Sequence, residues 1–494
     1  MNGRVSALWG TLVLLVACSS AGPDTPMGPD TPEVPTEKGP VASVYTTSVS
    51  GRRFDESQLT LKSAAEINFY KVQLSGEQFQ TVDGFGMAIT QASCYNLLLM
   101  KADDRQAFLE EMFSKEKGLG SSLIRVCIGG SDFTLDEFTW CDVPGMEHFA
   151  VHPLDIEYVF PILKQIFQIN PSVKIIGSPW SCPKWMKMTE NVKSAYDSWT
   201  GGRLNPQYYA DYAQYFVRWI QEMEKEGFPI YAITVQNEPL NRGNSMSLYM
   251  PWEDQRDFVK QALGPALESA GLKTKILAFD HNYDYDRVAS QADYPLHLFA
   301  DPETAKYLAG SAWHNYGGNV SVLDKIHDSY PEKEIYFTEA SIGTWNYNFD
   351  ACLINDFRDI FLGTLGRYGK GVTLWNLMLD DQHKPNRPGG CNTCWGAVTI
   401  PSGDHSYKAL VRNSHYYNVA HCSKVLDSGA VRLGTAGFQT AGLSYQWYRN
   451  PDGSYALLLL NETSADVLVN FVTSKYAVPC KVPAKAIQSI RWKE

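Results

Sequence analysis

Between residues 82 and 377 the chain repeats one rhythm eight times. Short apolar runs lie near 82–86, 122–128, 174–180, 232–237, 275–280, 311–316, 334–340 and 371–377. Several are almost continuously hydrophobic, the pattern of strands buried on both faces. Helical patterns separate them. The clearest covers 205–226, where Tyr209, Tyr212, Phe216, Trp219, Ile220 and Met223 recur at three- and four-residue spacing and so make one stripe. Asn205 can cap that helix, Pro206 suits its first turn and Gly227 stops it. Further helical patterns cover about 253–270 and 352–367. Eight strand–helix alternations predict an α/β protein built on a (β/α)₈ barrel, here residues 76–415.

The flanks have another rhythm. Residues 41–75 hold short β segments at 43–49, 59–61 and 67–74. After about residue 416 further β runs follow at 446–448, 455–460, 467–471 and 487–492, with Pro451, Asp452 and Gly453 as a hairpin turn. The two flanks are expected to build one attached β-sandwich side domain, 41–75 with 416–494. The alternative is two unrelated β caps.

The first 40 residues resemble a bacterial lipoprotein leader. Arg4 precedes an apolar run from Ala7 to Val16, of signal-peptide length and too short to span a bilayer. It closes on Leu15, Val16, Ala17 and Cys18, a lipobox-like ending that makes Cys18 the expected lipidation site and 1–18 the signal peptide. Residues 19–40 carry six prolines and a repeated Gly-Pro-Asp-Thr-Pro, an extended spacer with no core of its own. The expectation is a protein anchored by lipid to a bacterial cell envelope, with the membrane as a partner. The alternative is an ordinary cleaved signal with a chance cysteine. A formal charge of −11 argues against nucleic acid as a partner, because phosphate backbones are bound by clustered Lys and Arg. With Cys18 set aside, nine of the ten cysteines remain, an odd number, and their pairing is not readable. Cys391 and Cys394 form a lone CxxC with no second pair. A loop disulfide or structural cysteines fit it better than metal or redox chemistry. The ten histidines are scattered, and the DDQH cluster at 380–383 reads as a solvated loop. Neither a metal nor a cofactor is expected, and the chain is expected to act as a monomer.

A barrel of this type carries its chemistry at the carboxyl ends of its strands. Those ends are Asp132 and Phe133 after strand two, Trp180 after strand three, and Asn237 and Glu238 after strand four. His314 and Tyr316 end strand six, Glu339 strand seven, and Trp375 and Asn376 strand eight. Pro239 forbids further ladder pairing just past Glu238. Two carboxylates facing across one rim suit glycoside hydrolysis, where one protonates the departing oxygen and the other attacks the anomeric carbon or activates water. The other reading makes Glu238 a solvated turn residue and Glu339 a buried carboxylate paired with an Arg or a His such as His314. An aromatic content of 13% suits sugar stacking, although large barrels also bury aromatics in their cores.

The segments TVQNEP (234–239), IYFTEAS (335–341) and IGSPWSCPKW (176–185), with Trp375 and Asn376, resemble glycoside hydrolase family 30, which contains glucosylceramidases and endo-β-1,6-glucanases. The resemblance covers nearly all of the chain after the spacer. It implies a barrel with a β side domain and retention of configuration. It makes Glu238 the acid/base and Glu339 the nucleophile, with Asn237 at the sugar 2-hydroxyl, Asp132 and Trp180 holding glucose hydroxyls, and Trp375 stacking. Phe133, His314 and Tyr316 join the substrate site as neighbours, and Asn392 is a candidate on the 385–395 loop, where the chain departs from the glucosylceramidases. GGRLNPQYY (201–209) resembles β-1,6-glucanase members, so an endo-β-1,6-glucanase is the favoured reading and a glucosylceramidase the alternative. A third reading, a non-catalytic surface glycan-binding protein, would not need both carboxylates.

Overall fold

The structure is a computed structural model that describes residues 39–191 and 194–494. Cys18 and the spacer up to residue 38 lie outside the described residues. No helix among the described residues is long and apolar enough to cross a membrane.

Eight parallel strands close a barrel in sequence order: β1 Gly84–Ala88, β2 Leu123–Cys127, β3 Lys174–Ser178, β4 Ile230–Thr234, β5 Lys275–Asn282, β6 Leu308–His314, β7 Glu334–Glu339 and β8 Gly369–Asn376. The ladder of β4 ends at Thr234, three residues earlier than the sequence pattern predicts. The chain beyond it stays pinned, because Asn237 N–H donates to Pro179 O at 2.8 Å and Glu238 N–H to Asp280 O at 2.9 Å. Helix Tyr209–Lys225 buries the predicted stripe. It follows a short turn, Pro206–Tyr208, in which the Asn205 side chain accepts from Gln207 N–H at 3.2 Å.

The barrel interior is layered. Leu123, Ile176, Ala232, Leu277, Ala312 and Tyr336 pack into one apolar plug. Two residues further along each strand the inward positions become polar: Arg125, Ser178, Thr234, His314 and Thr338, all buried. Strand β5 breaks that count. Phe279 and Asp280 have φ of 72° and 73°, and the register with β6 shifts between Phe279 and His281. This bulge turns Phe279 outward onto Tyr294 and Trp313 and swings Asp280 into the barrel.

The side domain is a ten-stranded sheet. Its order starts Arg53–Thr60, Val41–Ser48, Ala486–Trp492, Tyr455–Asn461, Leu443–Arg449. It then continues through Val431–Gly437, Lys71–Thr81, Val467–Val472, Tyr476–Val482 and Lys62–Ser63. Strands from both chain flanks thus share one sheet. Val44, Val72, Trp447, Leu457, Phe471, Val478 and Ile490 come from well-separated positions in that order, yet pack into one core. The sheet is folded over on itself as a sandwich.

Candidate active site

The polar layer of the barrel is organised by Arg125, a fully buried guanidinium on β2. Its Nη1 donates to Glu339 Oε2 at 2.6 Å. Its Nη2 donates to Asn237 Oδ1 and Asp280 Oδ2, both at 2.7 Å, and its Nε to Ser178 Oγ at 3.0 Å. One planar fork therefore fixes two carboxylates, one amide and one hydroxyl. Asp280 also accepts from Thr234 and Thr338 hydroxyls and meets His314 Nε2 at 3.1 Å. Burial alone would raise Asp280, but Arg125, His314 and these hydroxyls hold it well below the usual carboxylate range.

Glu238 and Glu339 face each other above this layer. Glu238 has φ 43°, a left-handed conformation that a non-glycine residue holds at a cost and that is concentrated at functional sites. Its Oε1 lies 3.3 Å from His314 Nδ1, and its Oε2 accepts from Asn241 Nδ2 at 2.8 Å. Glu339 Oε1 accepts from Tyr316 O–H at 3.0 Å and lies 4.0 Å from His314 Nδ1. The reactive side-chain atoms of Glu238, His314 and Glu339 all fall within 4.8 Å of one another.

Their protonation is coupled. Burial raises both carboxyls; with His281 and His314 both charged, Glu238 is nonetheless held low, while its charge helps push Glu339 up. Burial, however, lowers His281 itself. Near neutral pH that ring is uncharged and its pull on Glu238 is gone, but the His314 ring 3.3 Å away still holds Glu238 down. The direct Arg125 contact stays on Glu339 at any pH. His314 is the opposite case: burial would lower it, but Glu339, Asp280 and Glu238 override burial and hold it at about 9. Asp132 is pushed up to about 8 by burial and by the charges of Glu339 and Glu238, and its Oδ1 is buried without a partner. A neutral carboxyl with an idle oxygen suits a sugar hydroxyl.

The pair opens into a pocket of about 310 Å³. Asp132, Tyr316 and Trp375 are on its wall with Glu238 and Glu339. Asn237 is buried and is not on that wall, and its Oδ1 accepts from Arg125. Other expected contacts lie elsewhere. Trp180 is buried and stacks on Trp375 at 5.1 Å and 21°, and Phe133 meets the edge of Trp375 at 6.0 Å. Both prop the indole that reaches the pocket; neither is on its wall. His314 is also fully buried, between Asp280 and Glu238. Asn392 is absent from this wall as well. A disulfide joins Cys391 to Cys394, and this closed turn presents the two cysteines to the pocket while Asn392 lines a neighbouring groove with Tyr95 and Arg387.

Arg125, Asp280, His281, Asn241 and Trp345 belong to the site or its wall and were not anticipated. Arg125 had a visible signal, a lone cation inside the apolar run Leu123–Cys127. Asp280 had none, because its inward aim depends on the bulge.

The glycosyl hydrolase family 30 TIM-barrel domain matches residues 82–426, and the family's beta sandwich domain matches residues 429–490. The endo-1,6-beta-D-glucanase BGN16.3 of Trichoderma harzianum is 33% identical over 421 residues, 80% of this chain and 80% of that protein. A Caenorhabditis elegans protein named as a candidate glucosylceramidase is 29% identical over 437 residues, 85% of this chain and 82% of that protein. The solved structure of the endo-beta1,6-glucanase BT3312 has a TM-score of 0.88 at 51% identity, covering 92% of this chain and 100% of that chain. Barrel and side domain are thus both matched: the chain belongs to glycosyl hydrolase family 30.

Proposed function

We propose that this protein is a retaining endo-β-1,6-glucanase. The observation that carries the mechanism is the spacing of the pair. One oxygen of Glu238 and one of Glu339 lie within 4.8 Å of each other. Retaining glycosidases hold their carboxyls about 5–5.5 Å apart, whereas inverting enzymes leave about 6.5–9.5 Å for a water. Glu339, on which the Arg125 guanidinium works against burial, attacks the anomeric carbon and forms a glycosyl ester as the bond to the leaving oxygen breaks. Glu238 gives its proton to that oxygen. Once Glu339 is esterified its charge is gone, Glu238 is easier to ionise, and it takes a proton from the water that releases the sugar. Asn237 donates to the 2-hydroxyl, Asp132 holds a second hydroxyl, and Trp375 stacks on the ring.

The choice of polymer rests on the relatives named above, of which the more similar ones are endo-1,6-glucanases. Incubation with a linear β-1,6-glucan is expected to release oligosaccharides of mixed length, first appearing as the β-anomer by NMR. Failure to cleave that glucan, with turnover of glucosylceramide, would overturn the substrate; first appearance of the α-anomer would overturn the mechanism. The leader ending in Cys18 supports a lipid-anchored envelope protein. Labelling with an alkynyl fatty acid should mark the wild type and not Cys18→Ala, and equal labelling would refute the anchor.

A further inference from the structure

The pocket's base and its mouth are built differently. At the base, Asp132, Trp375 and the catalytic pair are buried. At the mouth stands Trp345, an indole 53% exposed. Its position is prepared by the fold. The short strand Ile342–Gly343 pairs with Cys394–Trp395, and Thr344 N–H donates to Thr393 O at 2.9 Å. The indole lies against Gly343, where a Cβ would collide with the six-membered ring. The glycine is needed here for close approach. Through Cys394 and the Cys391 disulfide this seat is tied to the turn that packs on Asp132, where Gly390 lies against its side chain and Arg387 N–H donates to its carbonyl. A large flat ring fixed on a rigid seat at a pocket mouth, half in water, is free to stack on a ligand.

Asp286 also lines the mouth. It is exposed and lies in a run of three successive non-glycine residues with left-handed backbone, Tyr285, Asp286 and Arg287, at φ 53°, 53° and 58°. Such a run costs free energy at every residue and persists where surrounding structure and function hold it.

We propose that Trp345 and Asp286 form the subsite for the leaving glucosyl unit, Trp345 stacking on its apolar face and Asp286 accepting from its hydroxyls. This deepens the β-1,6-glucanase reading and rests on it. In an endo enzyme the sugar seated at the base carries chain on both sides, so the leaving unit too must pass the mouth. A leaving oxygen on the exocyclic carbon sets the acceptor ring one rotatable bond further out than a ring hydroxyl would, and Trp345 stands outside the catalytic pair.

The test compares wild type, Trp345→Ala, Trp345→Phe and Asp286→Asn on gentio-oligosaccharides and on β-gentiobiosyl fluoride, which keeps the glycon-side unit and has no leaving sugar. Removing the indole should cut kcat/KM on the oligosaccharides by about tenfold more than on the fluoride. Phe should restore most of that difference, and Asp286→Asn should show a smaller split in the same sense. Equal losses on both substrates, or no loss on the oligosaccharides, would overturn the proposal. A wild-type enzyme that hydrolyses the fluoride but not gentio-oligosaccharides would count against the β-1,6 reading itself and remove the proposal with it.

Discussion

Replacing Arg125 with Lys keeps a charge but discards the fork. The guanidinium makes short contacts to Glu339, Asp280 and Asn237 and a fourth bond to Ser178. A single ammonium on a shorter reach cannot serve all of them. A hydrogen bond to a charged group contributes about 1.5–3 kcal/mol. If the Glu339 bond is the one lost, that converts to about one to two pKa units at about 1.4 kcal/mol per unit. The sign follows from the partner: the Arg125 charge lowers Glu339, so weakening it raises Glu339 and moves the acidic limb of kcat/KM to higher pH. Arg125→Met should be worse, since it leaves Asp280 and Glu339 buried with one cation fewer, at a cost of about 3–5 kcal/mol in stability. The assay is a pH–rate profile on an aryl β-glucoside, with thermal unfolding of each variant alongside. An acidic limb that stays in place in Arg125→Lys, with turnover unchanged, would refute the claim that the fork sets the charge on the nucleophile.

Glu339→Ala should abolish turnover, and azide should rescue it as the α-glycosyl azide. Glu238→Ala should keep activity only on substrates with good leaving groups and yield the β-azide; the reverse pattern would exchange the two roles. His314 titrates at about 9 when folded against 6.5 for the free side chain. A raised pKa means its stabilisation is fully present below pH 6.5 and lost as pH rises through 9. Chemical denaturation should therefore show stability falling across that window in the wild type and a flatter profile in His314→Asn; identical slopes would show that His314 is not held charged. Changing both Cys391 and Cys394 to Ser should raise KM on gentio-oligosaccharides with little change in the unfolding midpoint, because the linked turn is short and shapes the pocket wall. A large midpoint shift with KM unchanged would instead make the disulfide a fold element.

The barrel was legible because each of its strands is a compact apolar run, and such runs flag burial on both faces whatever surrounds them. Glu238 and Glu339 were legible because two carboxylates terminate such runs. The layer beneath them was not. Asp280 occupies an inward place only because the bulge at Phe279 and Asp280 changes the parity of β5, and no residue type there announces that change. Trp180 and Phe133 end up supporting Trp375 rather than lining the pocket, since residues just past a strand end can turn toward either the rim or the packing beneath it. Asn392 faces a neighbouring groove for a related reason: which side a closed turn shows to the pocket is decided by the disulfide and the strand pairing at Ile342–Gly343.

The pairing of Val41–Ser48 with Ala486–Trp492 has a consequence for how the chain reaches this state. During synthesis the first of these strands emerges early and its neighbour emerges last. Every barrel strand lies between them, within residues 84–376, so the barrel can close while the side sheet still lacks its central members. For that interval the hairpin of Val41–Ser48 and Arg53–Thr60 presents an open ladder edge, the kind of surface that recruits wrong partners. The last seven-residue strand thus acts as a latch. A chain stopped just short of Ala486 would carry both Glu238 and Glu339 and yet leave two ladder edges unpaired, those of Val41–Ser48 and Tyr455–Asn461.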